Sequence, residues 1–562
     1  MATSGPTAGG DAVIDRRTFL AGVVATALAA GCSADGGEGD APTGVVGDGA
    51  PPETAVDMPP LPPSLPAELF ALGVASGDPL PDSVILWTRL VNDPLAVDGG
   101  LPDQPLPVRW EIAASRAFDD VVASGDVVAE PALAHSVHVD ASGLEPDRWY
   151  WYRFTVGSSV SPLGRTRTAP APGDEVDRLR FAMASCQSYQ DGFFTALYHL
   201  AAEDVDLVMF LGDYIYEDDP EPDNVRTHEG DGPVDLAGYR QRFGESKLDP
   251  ALQAAHARAP WVCTWDDHEV ENNYADGVPD AEGTVEPPRF AARRAAAYQA
   301  YYEHMPVRIE PPDGPEVTLY RSLDWGGLVR FYVLDGRQYR NDQACDTYAD
   351  IGLSCDEVTA DDRTMLGSEQ EAWLADALDS SDAAWNVLAQ QTVMTKLALT
   401  VGGIEAINLD QWDGYPEARR RVVDLMRGVD NPLVISGDVH AGGVGNVTDD
   451  PDDVSTAPLV PEVVTPSISS VFPMALAAIV ASVVAEAPNV HYAEPNRRGY
   501  VVCDVSPEAV EATFRYVSTT AEPRADIADG PRWVVRAGDP RPRPADQASP
   551  GTQGLRLLTE GA

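Results

Sequence analysis

Four apolar runs in this chain each stop at a cluster of polar side chains, and that punctuation limits the folds open to it. Arg180-Phe181-Ala182-Met183-Ala184-Ser185 runs into Cys186. Residues 205–211 run into Asp213 and Tyr216 in the string LGDYIYE. Pro260-Trp261-Val262-Cys263-Thr264-Trp265 runs into Asp266, Asp267, His268 and Glu269. Leu433-Val434-Ile435-Ser436 runs into Asp438 and His440 in ISGDVH. Continuous apolar runs of this length read as buried parallel strands. In open α/β folds, ligands sit outside the carboxyl ends of such strands. One sheet edge would therefore gather a thiol, a phenol, several carboxylates and two imidazoles, which is a metal-ligating set.

The rest of the chain frames that site. With 562 residues it has length for about two to four domains and a large core. Its net charge of -50 at pH 7 argues against nucleic acid or an anionic membrane as a charge-driven partner, because phosphates would be repelled. Lys247 and Lys396 are the two lysines of the sequence.

Residues 1–32 read as a targeting segment rather than as fold. Asp15-Arg16-Arg17-Thr18-Phe19-Leu20 carries the paired arginines of a twin-arginine signal. The apolar stretch that follows is too short for a comfortable membrane span. Leu28-Ala29-Ala30-Gly31-Cys32 resembles a bacterial lipobox, with Cys32 as the lipidation site. Residues 33–66, rich in Gly, Pro, Asp and Ala, read as a disordered tether. The expected location is the cell surface or periplasm, with the membrane reached only through a lipid anchor and the protein a monomer. Export permits disulfides, and Cys345 and Cys355 lie close together in a polar stretch, where a bridge is expected. Cys263 and Cys503 lie in apolar runs and read as core thiols.

Residues 67–170 alternate β-type runs with turns and read as a small all-β sandwich of immunoglobulin or fibronectin type. Residues 171–520 switch to strand-helix-strand order, an α/β sandwich around mostly parallel strands. Ser368 is placed to open a helix with acidic residues in its first turn. The apolar stretch 471–485 is interrupted by Pro473 and reads as a buried or lid helix. Residues 521–562 read as a partly disordered tail.

Asp213 and Tyr216, three residues apart beyond a strand, can turn toward one point. A phenolate ligand needs a strongly acidic metal; trivalent iron suffices and calcium does not. Cys186 would add a thiolate and His440 an imidazole, which excludes a pure magnesium or calcium site. Asp266 or Asp267, Asn272, Asn273 and Asp438 offer oxygen to a second, harder ion such as calcium, with Asp213 as the bridge. Two adjacent metals suit phosphate-ester hydrolysis, generating hydroxide from water to attack phosphorus in line. Arg337 would grip phosphate oxygens, and His268 would protonate the leaving alkoxide.

The strings ASCQS, LGDYIYE, TWDDHEVENNY, DGRQYR, NVLAQQT and ISGDVHAGG resemble the PhoD-type alkaline phosphatases and phosphodiesterases. GVASGDPLPDSVILWTR resembles that family's N-terminal domain. The resemblance implies a calcineurin-like αββα core with an iron and calcium centre. It implies Cys186, Asp213, Tyr216 and His440 as ligands of Fe3+, Asp213 as the bridge, and Asp267 and Asp438 as ligands of Ca2+. Gln390 or Gln391 falls where related enzymes place another second-metal ligand. Asn272, Asn273 and Arg337 are implied as phosphate contacts. Gly336 stands where the family commonly has Thr, beside the retained arginine.

The leading expectation is an exported alkaline phosphatase that also cleaves diesters of small-molecule substrates. A phospholipase D-like phosphodiesterase acting on phospholipids is the near alternative. A phosphate- or metal-binding lipoprotein without turnover is the alternative from another class. Loops 218–250, 275–325 and 340–365 are expected to set pocket depth.

Overall fold

A computed structural model describes residues 58–62, 65–279, 287–345, 351–397, 399–401, 404–474, 477, 480, 484 and 487–547. The leader, Cys32 and most of the tether lie outside the described residues.

The apolar runs form the parallel kernels of two sheets. Leu179–Ala184, Leu207–Leu211 and Trp261–Thr264 pair in parallel, and Val74–Gly77 joins them in parallel at Gly77. Antiparallel strands extend this kernel on both sides into a ten-stranded sheet. In the second, seven-stranded sheet, Val329–Val333, Trp385–Ala389, Pro432–Ser436 and Pro458–Val464 run parallel.

Alternation along each strand builds the layers. Phe181, Met183, Leu207, Met209 and Leu211 meet Phe331, Val333, Val387, Leu433 and Ile435 between the two sheets. Ala182, Ala184, Val208 and Phe210 point the other way, toward helices Thr195–Leu200, Leu236–Lys247, Pro250–His256 and Pro287–His304. Tyr332, Leu334, Leu388 and Val434 face helices Gly367–Asp379 and Pro416–Met426. The result is the αββα sandwich. Full burial of each such aliphatic side chain contributes roughly 1.5–3 kcal/mol, which is why both faces of these runs are apolar.

The N-terminal region is all-β. Leu106–Ala113, Val121–Ala129 and Trp149–Val156 belong to a separate five-stranded sheet. Ser83–Arg89 and Ser136–Ser142 belong instead to the ten-stranded sheet, joined through Val74–Gly77. The two layers share a core of Val84, Leu86, Val108, Ile112, Tyr152 and Phe154.

Two local readings differ. Residues 527–544, expected in a partly disordered tail, form strands Ile527–Arg536 and Asp539–Pro544 at the edge of the ten-stranded sheet. Proline is tolerated there because an edge strand has backbone positions that need no donor. The helix expected from Ser368 begins at Gly367, with the Thr364 hydroxyl accepting from the Leu366 and Gly367 N–H groups at 3.2 and 2.8 Å. Of the apolar stretch 471–485, Met474, Ala477, Val480 and Val484 are helical, and several of its other residues lie outside the described ones. Cys345 and Cys355 form a disulfide, and Cys263 and Cys503 are buried free thiols. Among the described residues, no helix is long and apolar enough to cross a membrane.

Candidate metal centre

The four polar clusters converge at the carboxyl ends of parallel strands from both sheets. Glycine makes the approach possible. A Cβ on Gly212, whose φ is +106°, would lie 2.8 Å from the Asp266 backbone nitrogen. A Cβ on Gly437 would lie 2.8 Å from Ser185 Cβ. The GD pairs Gly212-Asp213 and Gly437-Asp438 thus let neighbouring loops touch.

The backbone is strained where the ligands are expected. Cys186, Asp213, Asn273, Asp438 and His440 have φ between 54° and 62°. Non-glycine residues rarely adopt this region, and such strain costs on the order of 1–3 kcal/mol each. Hydrogen bonds hold it in place. Glu269 accepts from the backbone N–H of Asp213 at 3.1 Å, Tyr214 at 2.6 Å and Asp266 at 2.9 Å. One carboxylate therefore ties two ligand loops together. The Cys186 N–H donates to Gly212 O at 3.1 Å, and the Gln187 N–H to Asp213 O at 3.0 Å.

Three groups of ligand atoms share Asp213; one joins it to Asp267 and His268, and the other two carry the expected metal ligands. In one of these two, the thiol of Cys186, the carboxylate of Asp213 and the imidazole of His440 have atoms within 4.8 Å of one another. Tyr216 Oη joins them, 3.0 Å from Asp213 Oδ2 and 3.0 Å from His440 Nε2. The second imidazole nitrogen fixes the tautomer. His440 Nδ1 lies 3.1 Å from the Val471 carbonyl, which can only accept, so Nδ1 carries the proton and the Nε2 lone pair faces Tyr216. In the other group, carboxylate oxygens of Asp213, Asp266, Asp267 and Asp438 lie within the same distance of one another.

Electrostatics make this arrangement costly without a cation. Burial, followed by the charge of Asp213, pushes the Cys186 thiol and the Tyr216 phenol well above their usual ranges. Burial pushes the Asp213 and Asp266 carboxyls up strongly and Asp438 up to about 7. Burial pushes His440 down to about 4, so its ring is neutral and able to donate a lone pair. Asp213 Oδ1, Asp266 Oδ2 and Asp267 Oδ1 are buried without a hydrogen-bond partner. Buried carboxylate oxygens without a hydrogen bond are expensive, and metal ions would satisfy them. The sulfur, phenol and nitrogen donors of one group fit a strongly acidic metal; the all-oxygen group fits a hard divalent ion.

Arg337 is fully buried behind these carboxylates. It pairs with Asp266, with Asp410 at 2.9 Å, with Asp267 at 3.5 Å and with Asp438 at 3.8 Å. It is absent from the described lining of the adjoining cavity, whereas Asp267, His268, Asn272, Asn273, Asp438 and His440 all line it. Gln390 and Gln391 face inward: Gln390 accepts from Trp412 Nε1 at 2.7 Å, and Gln391 donates to Thr264 and Leu334 at 2.8 Å.

The His268 ring packs tilted against Tyr216, with ring centroids 4.1 Å apart and planes at 32°. Its Nδ1 donates to Glu217 Oε2 at 2.8 Å. Against the opposing cost of burial, Glu217, Asp267 and Asp213 hold its pKa well above the usual histidine range. Glu217 also accepts from the Asn272 N–H at 2.6 Å, while Asp267 Oδ2 accepts from the Asn273 N–H at 2.7 Å.

Sequence reasoning assigned no role to Glu217, Glu269, Asp410 or Gln411. Glu217 and Glu269 stand inside the motif strings LGDYIYE and TWDDHE and were legible as neighbours of ligands. Asp410, paired with Arg337 and Arg340, and Gln411, which donates to Asp438, follow no continuous apolar run and carried no such signal.

Comparisons with known proteins point to one family. Residues 181–514 match the PhoD-like phosphatase family, and residues 58–170 match the PhoD-like phosphatase N-terminal domain. Alkaline phosphatase D of Bacillus subtilis (strain 168) is 46% identical over 476 residues, covering 83% of this chain and 81% of that protein. The solved structure of PhoD is similar with a TM-score of 0.82 at 44% identity, covering 86% of this chain and 93% of that one.

Proposed function

The chain belongs to the PhoD-like phosphatase family and is a phosphoric ester hydrolase, and we propose that it is an exported, metal-dependent alkaline phosphatase with phosphodiesterase activity. The observation that carries the metal reading is the convergence of two ligand groups on Asp213. In this reading Cys186, Asp213, Tyr216 and His440 hold Fe3+. Asp213, Asp267 and Asp438 hold Ca2+. Bound there, the ions would activate a water molecule and neutralise charge on the phosphoryl oxygens.

The chain's own groups do the rest. Asn272 and Asn273 line the cavity and are the proposed phosphate contacts. Their backbone N–H groups are fixed by Glu217 and Asp267, so their placement is coupled to the ligands. His268 is the proposed general acid for the leaving alkoxide. With Nδ1 committed to Glu217, Nε2 is the nitrogen left to deliver the proton. Glu217 keeps the ring oriented and favours its charged form. The sequence places Arg337 on the phosphate; its burial among four aspartates supports a different role, holding Asp266, Asp267 and Asp438 close despite their mutual repulsion.

The twin-arginine segment and Cys32 support export and lipid anchoring at the cell surface. Small-molecule phosphate esters are the proposed substrates.

The test is the initial rate of hydrolysis of a 4-nitrophenyl phosphate monoester and of the matching bis(4-nitrophenyl) diester by metal-loaded protein. Cleavage of both is expected. Diester cleavage faster than monoester cleavage would move the reading to a phosphodiesterase proper. No cleavage of either, with bound iron and calcium verified, would leave a binding protein instead.

A further inference from the structure

The cavity beside the metal centre is about 320 Å³, within the roughly 300–1,000 Å³ typical of small-molecule sites. A bare phosphate needs little of it. Its polar lining includes the proposed ligands and phosphate contacts Asp267, Asn272, Asn273, Asp438 and His440. Much of the remaining wall is hydrocarbon. Val444, Val464, Phe472, Val480, Val484 and Val490 line it, together with backbone at Gly442, Gly443 and Gly445.

The origin of this wall ties it to the chemistry. The strand Gly442–Thr448 begins two residues after the proposed ligand His440. Phe472 follows Val471, whose carbonyl fixes the His440 tautomer. Catalytic end and apolar end are therefore consecutive stretches of the same chain. The apolar character continues outward: Val471 and Met474, flanking Phe472 and Pro473, are 51% and 85% exposed.

We propose that this wall is a substrate subsite that receives a hydrocarbon substituent of a phosphoric diester while the phosphorus sits against the metal ligands. The inference rests on the phosphoric ester reading of the same site and names its substrate class. A diester with two small polar substituents would leave the wall in contact with water. One with an alkyl or aryl substituent removes both surfaces from water, and each buried methylene is worth about fourfold in affinity.

The experiment uses the full metal-loaded chain and a series of 4-nitrophenyl alkyl phosphodiesters: methyl, butyl and octyl, with a phenyl ester for comparison. All are kept below their micelle-forming concentrations. The leaving group is constant, so the ratio of kcat/KM values reports the substituent. A rise of at least tenfold from methyl to octyl is expected, and Val480→Asp should cut that octyl-to-methyl ratio at least tenfold. Val484→Asp is the second variant, should the first fail to fold. A phenyl ester preferred over octyl would assign a compact aryl group; the reverse would assign an alkyl chain. Equal values for methyl, octyl and phenyl would overturn the subsite while leaving the hydrolase intact.

Binding of methylphosphonate and octylphosphonate, followed by calorimetry, gives a readout without turnover. Tighter octylphosphonate binding that Val480→Asp abolishes, with no ester cleaved, would support the subsite and overturn the hydrolase reading. Equal binding of the two phosphonates would overturn the subsite.

Discussion

Tyr216→Phe protein is expected to lose activity and, with it, visible absorption. Phenylalanine keeps the ring that packs against His268 at 4.1 Å and removes only the oxygen. That oxygen lies 3.0 Å from both Asp213 Oδ2 and His440 Nε2, and Ser470 Oγ is 2.7 Å away. Burial holds the phenol neutral, so it becomes a ligand only for a cation acidic enough to take its proton, and trivalent iron is such a cation. A phenolate or thiolate on Fe3+ gives a charge-transfer band. Tyr216→Phe should abolish the phenolate contribution and Cys186→Ala the thiolate contribution. The activity loss should exceed the roughly 10–100-fold that removal of an outer-shell partner costs a metal site. The measurements are the visible spectrum and kcat of each purified variant. Unchanged spectra in both would contradict the iron assignment.

Arg337→Met should destabilise the metal-free protein by about 3–5 kcal/mol, the cost of removing one partner from a buried ion cluster. Methionine fills much of the same space, so the loss is one of charge rather than volume. Without the guanidinium, Asp266, Asp267, Asp410 and Asp438 would face one another in a site where at least Asp266 and Asp267 are almost fully buried. A divalent cation held by Asp267 and Asp438 would replace part of the lost positive charge. The deficit should therefore shrink when calcium is present. Urea unfolding of both proteins, with and without calcium, measures this. A deficit that calcium leaves unchanged would contradict a calcium site on these two carboxylates. A deficit under about 1 kcal/mol would contradict their being ionised around Arg337.

Most of the site was legible because it obeys a local rule. A strand buried on both faces is largely apolar, so the polar cluster after it marks its end, and in parallel sheets those ends gather ligands. Cys186, Asp213, Asp267, Asp438 and His440 all announced themselves in this way. The glycines before Asp213 and Asp438 were visible too, although the contacts that require them, Asp266 and Ser185, were not. What escaped is non-local. Asp410 reaches Arg337 and Arg340 across about 70 residues of chain. Ser136–Ser142 alternates like any sandwich strand, and nothing local says that it extends the main sheet, whereas Ser83–Arg89 is buried throughout. Asp539–Pro544 reads DPRPRP, a composition that forbids a central strand and is allowed only at an edge. Of the described cavity lining, the loops expected to set pocket depth contribute Ile351 alone. Much of the wall comes instead from 439–445 and from Phe472, Pro473, Val480, Val484, Val490, Tyr492 and Ala493; of these, those within 471–485 were read as part of a buried or lid helix.

The most direct measurement is diester hydrolysis by protein stripped of metal, with the stripping verified by elemental analysis, and then reloaded with iron and calcium together or singly. Both ions together should restore turnover, and neither alone should do so fully. Full activity in the stripped protein would contradict a metal centre built on Cys186, Asp213, Tyr216, Asp267, Asp438 and His440.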